Sequence, residues 1–506
     1  MIRHTFAVFC AAFTLSLLGA FSVLCVFYFP GLYALVYLWS LACALLSSNE
    51  RELPEYRLSR LAISVVFPFF SGIFLFIARR RATKAEIAII RGAEFDESRD
   101  TRALSSVDGA FSGTVKCLLS DDSTARLFSD TECKYFSDTA LMLASMLSDI
   151  SSSRRTVYLE YYIISEGRVF DELLGRLGGC AARGVDVRIM FDDLGSMLRL
   201  SASLPERLRG LGINVGIFSP LCPRIGKGNN RDHRKLLVID SEIAYVGGMN
   251  LSDEYIGESK KFGAWRDMGV RLFGACATGF EQSFLALWEY CRHTGSLKPS
   301  VRASSGGERA ERCLKSSSVS PRGGGHLVSF QTAPKPFYPH SVGKRLLLNL
   351  LSAAKEYVYI TTPYLIPDYE LIEAMSRAVG RGVRVVIITP GVADKKIIKI
   401  ITESFYPTLI AEGVEIYEYP LGFLHGKIVS CDGKAAVVGS INLDYRSLHH
   451  NFENGVLILD GKTVCDIETD INELASLSLK MDENGKCHGI IKKTVRLVSG
   501  AILPIL

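Results

Sequence analysis

The chain repeats itself, and that repetition constrains its fold more than any other feature. RRTVYLEYYII at 154–164 returns as KEYVYITTPYLIP at 355–367. ARGVDVRIMFDD at 182–193 returns as GRGVRVVIITPG at 380–391, and LRGLGINVGIFSP at 208–220 as LIAEGVEIYEYP at 409–420. Each copy runs apolar strand, helix, strand after an R-G-V turn, helix, strand after a glycine, then a His-x-Lys string. Strands alternating with helices predict an α/β fold, a mostly parallel or mixed sheet flanked by helices. With 506 residues the chain can bury two such cores. Two similar domains packed as a pseudo-dimer are expected.

Outside the repeats the chain divides by composition. Residues 5–29, 32–46 and 61–78 are almost wholly apolar, and Arg79-Arg80-Arg81 closes the last run. Runs of this kind predict a membrane anchor over 1–83 with two or three transmembrane helices, a multi-pass protein of the cytoplasmic (inner) membrane. The arginines place the rest of the chain on the cytoplasmic side. A polar connector is expected over 84–113 and the first repeated domain over 114–295. Residues 296–326, rich in Ser, Gly and Arg, read as a flexible linker. The second domain fills 327–506. A net charge of +5 neither demands nor excludes a polyanion, and no long basic groove with interleaved aromatics is evident, so nucleic acid is not an expected partner. The thirteen cysteines are scattered without a C-x-x-C pair, which fits neither a zinc site nor a disulfide framework.

The repeated string carries the chemistry. HRKLLVIDSEIAYVGGMN starts at His233 and HGKIVSCDGKAAVVGSIN at His425. Both read H-x-K-x4-D, and both reach an Asn seventeen residues after the His. On a strand, residues two apart share a face, so His233 lies with Lys235 and His425 with Lys427. Asp240 and Asp432 complete the repeated motif and are counted with it among the catalytic candidates, but their parity is opposite, which suits holding the fold or the next turn. Gly247, Gly248 and Gly439 remove side chains where the backbone returns, and would let a bulky anion approach. Asn250 and Asn442, with Gly248 and Ser440, are the candidate phosphate-binding positions. Asp267 in WRDMGVRL and Glu453 in NFENGVLIL precede apolar strands, and each could project toward its own His and orient it.

Two imidazoles, two ammoniums and two amides suit a phosphodiester. The lysines would neutralise charge on the non-bridging oxygens while one imidazole attacks phosphorus and the other protonates the departing alcohol. Lysines stand where metal-assisted chemistry would need cations, so neither metal nor cofactor is expected.

These motifs resemble the phospholipase D superfamily, and more narrowly its bacterial cardiolipin synthases. LEYYII, FDDLGS, WRDMGVRL, PYLIPD and PEYRLSRLAISVVFPFFSGIFLF carry the resemblance alongside the two H-x-K-x4-D strings. It implies a phosphatidyltransferase that joins two phosphatidylglycerols into cardiolipin and glycerol, with membrane lipid as partner. It implies His233, Lys235, His425 and Lys427 as the catalytic set, with His233 favoured as nucleophile. A phospholipase D-type hydrolase or another phosphatidyltransferase is the alternative, and a nuclease of the superfamily a remoter one. The oligomeric state is left open.

Overall fold

The computed structural model describes residues 27–47, 82–91, 109–120, 125–220, 230–257, 262–298 and 325–482, apart from isolated positions. Two compact units divide the chain, and 82–220 with 230–489 form the larger. Within it the duplication becomes two sheets of the same design.

The first sheet contains β1 (Thr131–Phe136), β2 (Thr156–Tyr161), β3 (Asp186–Asp192), β4 (Asn214–Phe218), β5 (Lys235–Ile239), β6 (Ile243–Gly247), β7 (Gly269–Gly274) and β8 (Leu297–Lys298), ordered β8-β4-β3-β2-β5-β6-β7-β1. The second contains β9 (His326–Thr332), β10 (Tyr357–Thr361), β11 (Arg384–Pro390), β12 (Glu415–Tyr419), β13 (Ile428–Cys431), β14 (Ala435–Gly439), β15 (Asn451–Leu459) and β16 (Leu479–Lys480). Its order, β16-β12-β11-β10-β13-β14-β15-β9, matches the first strand for strand. β2, β3 and β4 run parallel, as do β10, β11 and β12. The hairpins β5–β6 and β13–β14 join antiparallel, which makes both sheets mixed.

The strand residues dictate a layered packing. Leu236 and Val238 of β5 face a central core, while Leu237 and Ile239 face an outer one, the period of two expected of a strand buried on both sides. The central core lies between the sheets. There Phe280, Phe284 and Leu287 of the helix Cys276–His293, and Val464, Ile467 and Ile471 of the helix Gly461–Leu477, meet β6, β7, β14 and β15. The outer faces are covered by Thr139–Ser152 and Arg168–Ala182 on the first sheet, and by Val342–Ala353 and Tyr369–Gly380 on the second. Truncating a fully buried ring such as Phe284 to Ala would cost about 3–5 kcal/mol.

The halves also exchange segments. Arg126–Phe128, from the first half, pairs with β9, and Arg231–Asp232 pairs in parallel with β15. The stretch 84–113, expected as a connector, forms a helix at Lys84–Arg91 whose Ile90 enters the central core. Thr83 and Glu86 cap it reciprocally: the Glu86 carboxylate accepts the Thr83 N–H at 2.9 Å, and the Thr83 hydroxyl accepts the Glu86 N–H at 3.2 Å. Its last residue, Arg91, donates to the Phe337 carbonyl at 2.7 Å. In the stretch expected as a linker, Leu297–Lys298 pairs with β4 and 299–324 lies outside the described residues.

Helix Pro30–Ser47 contains no charged residue. Among the described residues no helix is long and apolar enough to cross a membrane, and most of the apolar runs 5–29 and 61–78 lie outside the described residues.

Candidate active site

The repeated motif builds a hairpin in each half. Asp240 and Ser241 follow β5 with φ of 54° and 62°, and Asp432 and Gly433 follow β13 with 53° and 65°. Positive φ at both central positions is what a two-residue type I′ hairpin turn requires, and Asp and Gly tolerate it best. Glu242 and Lys434 donate back to Ile239 and Cys431 at 3.0 Å, closing the turns. Each aspartate then tethers the start of the neighbouring strand. Asp240 accepts the N–H groups of Arg154, Arg155 and Thr156 at 2.7–2.8 Å, and Asp432 those of Lys355, Glu356 and Tyr357 at 2.8–2.9 Å. The structure therefore separates Asp240 and Asp432 from the reacting set. Their parity turns them toward the turn and β2 or β10.

At the other end of each hairpin stand the histidines, and here the halves cross. His233 Nδ1 lies 3.0 Å from both carboxylate oxygens of Glu453, and His425 Nδ1 lies 2.5 Å from Asp267 Oδ2. Each orienting carboxylate belongs to the opposite repeat, a correction to the expectation that each served its own His. The backbone explains it. The segment ahead of His233 runs parallel to the start of β15, with Arg231 opposite Asn451 and Asp232 opposite Phe452, and the His233 N–H donates to the Phe452 carbonyl at 2.9 Å. The segment ahead of His425 pairs the same way, Leu424 opposite Arg266, and the His425 N–H donates to the Arg266 carbonyl at 2.7 Å. One residue further along each partner is the carboxylate.

Donation from Nδ1–H to a carboxylate leaves Nε2 as the basic, nucleophilic nitrogen. Burial holds both imidazoles well below their ordinary range, and the ammoniums of Lys235 and Lys427 push the same way. Burial also lowers Lys235 to about 7 and Lys427 to about 8, and lifts Asp267 and Glu453 to about 7. Lys235 donates to the His233 carbonyl at 2.5 Å. Lys427 donates to the His425 carbonyl and lies 2.9 Å from its Nδ1. The pocket thus holds two neutral imidazoles and two desolvated lysines facing two buried carboxylates.

The small residues after the turn support the carboxylates more than they clear space for an anion. A Cβ on Gly248 would stand 2.3 Å from Asp267 Oδ1, so the absent side chain makes room for the carboxylate that orients His425. Ser440 holds the matching position in the other half, and its hydroxyl donates to Glu453 Oε2 at 2.5 Å. A Cβ on Gly247 or Gly439 would strike the backbone of the next strand. Asn250 is committed as well: its amide donates to the Tyr255 hydroxyl at 2.6 Å, and its carbonyl accepts the Ile163 N–H at 3.1 Å. Asn442 is buried with an unpartnered carbonyl oxygen.

The sequence reading missed the aromatic walls. Tyr255, Trp265 and Phe423 pack on His425 with ring centroids 5.5–5.7 Å away, whereas Tyr162 packs on His233 at 5.0 Å and lies under the Lys235 ammonium at 5.4 Å. Their signal was present as aromatic residues in the strings YY, DEY, AWRD and GFLH beside the motifs. Among the described residues no group of three His, Cys, Asp or Glu side chains could hold a metal ion.

Comparison with known proteins places this geometry. The family model described as cardiolipin synthase, phospholipase D-like domain, matches residues 146–270 and again 347–475. A cardiolipin synthase of Alkalihalophilus pseudofirmus is 32% identical over 73% of this chain and 72% of its own length. Cardiolipin synthase 2 of Bacillus anthracis is 31% identical over 73% of this chain and 70% of its own. Among solved structures, phosphatidylserine synthase from Haemophilus influenzae superposes with a TM-score of 0.59 at 14% identity, covering 79% of this chain and all of that one, a likeness of fold.

Proposed function

The chain belongs to the cardiolipin synthase family built on phospholipase D-like domains and is a phosphatidyltransferase of that type, and we propose that it joins two phosphatidylglycerols into cardiolipin and glycerol through a phosphohistidine. The observation that carries the mechanism is the pair of crossed imidazole–carboxylate contacts with a lysine beside each imidazole.

In this reading His233 Nε2 attacks the phosphorus of the first lipid. A P–N bond forms and the P–O bond to glycerol breaks, while His425, which must enter this step as the imidazolium with Nδ1–H held by Asp267, gives its Nε2 proton to the departing oxygen. Glu453 stabilises the positive charge that grows on His233, and Lys235 and Lys427 neutralise the phosphoryl oxygens. The hydroxyl of the second lipid then loses its proton to His425 Nε2 and attacks phosphorus, and the P–N bond breaks. Asp267 plays for His425 the part that Glu453 plays for His233. Asn250, Gly248 and Ser440 act by holding this frame, with Gly248 and Ser440 shaping the two carboxylate sites, and Asn442, buried with an unpartnered carbonyl oxygen, keeps its place as a phosphate-binding candidate.

The deciding experiment supplies phosphatidylglycerol labelled in the acyl chain and the headgroup to the full-length protein. Cardiolipin and free glycerol in equal amounts are expected. Phosphatidic acid as the main lipid product would make the protein a hydrolase.

In the same reading, 114–295 and 327–506 are the two phospholipase D-like halves, and 1–83 anchors them on the cytoplasmic face of the inner membrane by two or three spans. The apolar runs and Arg79-Arg80-Arg81 support this. Protease added to inverted vesicles should degrade the catalytic halves. Degradation only in right-side-out vesicles would reverse the topology.

A further inference from the structure

If the acceptor is a second phosphatidylglycerol, as proposed above, it brings its own phosphodiester to a pocket whose two lysines already serve the reacting phosphoryl group. The acceptor's phosphate stands one three-carbon headgroup away from the hydroxyl that reacts, and two anions so placed repel one another unless a separate cation meets the second.

Lys395 is placed to do this. It follows β11 and precedes the helix Lys396–Ala411, and it is exposed. On the same helix Lys399 is paired with Glu418, while Lys396, beside Lys395, is exposed as well. Among the described residues the Lys395 ammonium has no carboxylate within ion-pair distance, and it lies over the Tyr364 ring, 5.7 Å from the centroid.

That ring is fixed. The Tyr364 hydroxyl donates to Asp394 at 2.6 Å, and the other oxygen of Asp394 accepts the Lys395 N–H at 2.7 Å. Tyr364 packs on Phe423 at 6.3 Å, and Phe423 on His425 at 5.7 Å. The lysine therefore stands two rings from the imidazole that activates the acceptor. Its charge reaches both catalytic imidazoles and helps to lower them.

We propose that Lys395 receives the phosphodiester of the acceptor lipid at the rim of the site, so that the acceptor's terminal hydroxyl is presented to His425. Lys395 thereby favours an anionic lipid alcohol over water or a neutral alcohol in the second half-reaction. It is a specificity residue for the acceptor, and the phosphohistidine chemistry does not pass through it.

The test uses the full-length protein with phosphatidylglycerol as donor in mixed micelles, and a neutral short-chain alcohol competing as acceptor. Lys395→Gln should lower the ratio of cardiolipin to phosphatidyl-alcohol roughly 2- to 5-fold, the scale of one exposed charge contact. Lys395→Arg should restore most of it. Salt should weaken the wild-type preference and leave the Gln variant's ratio nearly flat.

An unchanged ratio in Lys395→Gln would overturn the proposal. So would an equal fall in both products that tracks weaker sedimentation with phosphatidylglycerol vesicles, because Lys395 would then be holding the bilayer surface. A wild-type protein that makes phosphatidyl-alcohol but no cardiolipin would refute the donor–acceptor reading itself, a result distinct from either.

Discussion

Glu453→Gln tests the crossed arrangement most directly. Glu453 sits in the second repeat, and its two oxygens lie 3.0 Å from Nδ1 of His233 in the first. Losing a buried hydrogen bond to a charged group removes about 1.5–3 kcal/mol, which is roughly 10- to 150-fold in rate. A second effect adds to it. The Gln amide can turn its NH2 toward Nδ1 and drive the imidazole proton onto Nε2, the nitrogen that must attack. The wrong tautomer in a serine protease triad costs ~10⁴ in kcat, so a loss between ~10² and ~10⁴ is expected here. The assay is a burst experiment with an acyl-labelled phosphatidyl ester of a good leaving group, following both the leaving group and acid-labile label on the protein. Glu453→Gln should behave as His233→Ala does, and Asp267→Asn as His425→Ala, whichever His is the nucleophile. If Glu453→Gln instead copied His425→Ala, the crossed assignment would be refuted. Stability gives an independent reading. Glu453 binds its proton more tightly folded, at about 7, than its ordinary 4.5, so it costs the folded state stability as pH rises through that window. The melting temperature of Glu453→Gln should therefore gain on the parent between pH 5 and pH 8.

Four further outcomes are expected. The free enzyme needs Lys235 and Lys427 charged and Asp267 and Glu453 ionised, so kcat/KM should fall as pH rises through about 7 to 8 and also as pH falls below about 7; a profile flat to pH 9.5 would show the lysines to be undisturbed. Turnover should survive exhaustive EDTA, because lysines stand at the charge-neutralising positions; loss reversed only by a divalent ion, with lipid dispersion held constant, would contradict this. Gly248→Ala should cut activity at least ~10-fold by displacing Asp267 from His425, with little change in melting temperature; full activity would mean that the carboxylate can shift freely. A protein starting at Ala82 should be about 2–4 kcal/mol more stable to urea than one starting at Glu94, since the shorter form lacks the buried Ile90 and the Arg91 contact; equal midpoints would place Lys84–Arg91 outside the cooperative unit.

The strands and their succession along the chain were legible because apolar runs such as KLLVID and RVVIIT are fixed by burial on both faces, and the duplication let each half check the other, whereas their order across the sheet came only with the structure. The pairing of His with Lys on one face was legible from strand parity alone. So was the departure of Asp240 and Asp432 from that face, and the D-G at 432–433 was a hairpin signal in its own right. The crossing was not legible. Asp267 and Glu453 look local to their own repeats in the sequence, and two parallel pairings, Arg231–Asp232 with β15 and Leu424 with Arg266, both tertiary contacts, carry each carboxylate to the other histidine. The helix Lys84–Arg91 was hidden by its shortness, although its T-x-x-E capping box stood in view. The aromatic walls stood beside the motifs in the strings YY, DEY, AWRD and GFLH, but an aromatic residue next to a buried strand reads as core until the fold shows which ring it meets.

The crossing has a consequence for concentration. A single repeat would own an imidazole without its carboxylate and a carboxylate without its imidazole, so separated halves would work only after meeting, and their rate would vary with the square of their amount. Tying the halves into one chain makes their meeting intramolecular, so the rate rises only in proportion to the amount of protein. A single-chain enzyme of this build keeps its full specific activity on dilution. Cleaving the backbone between Lys298 and Gly325 should leave that activity intact for as long as the shared core, with Phe284 and Val456 inside it, keeps the fragments together.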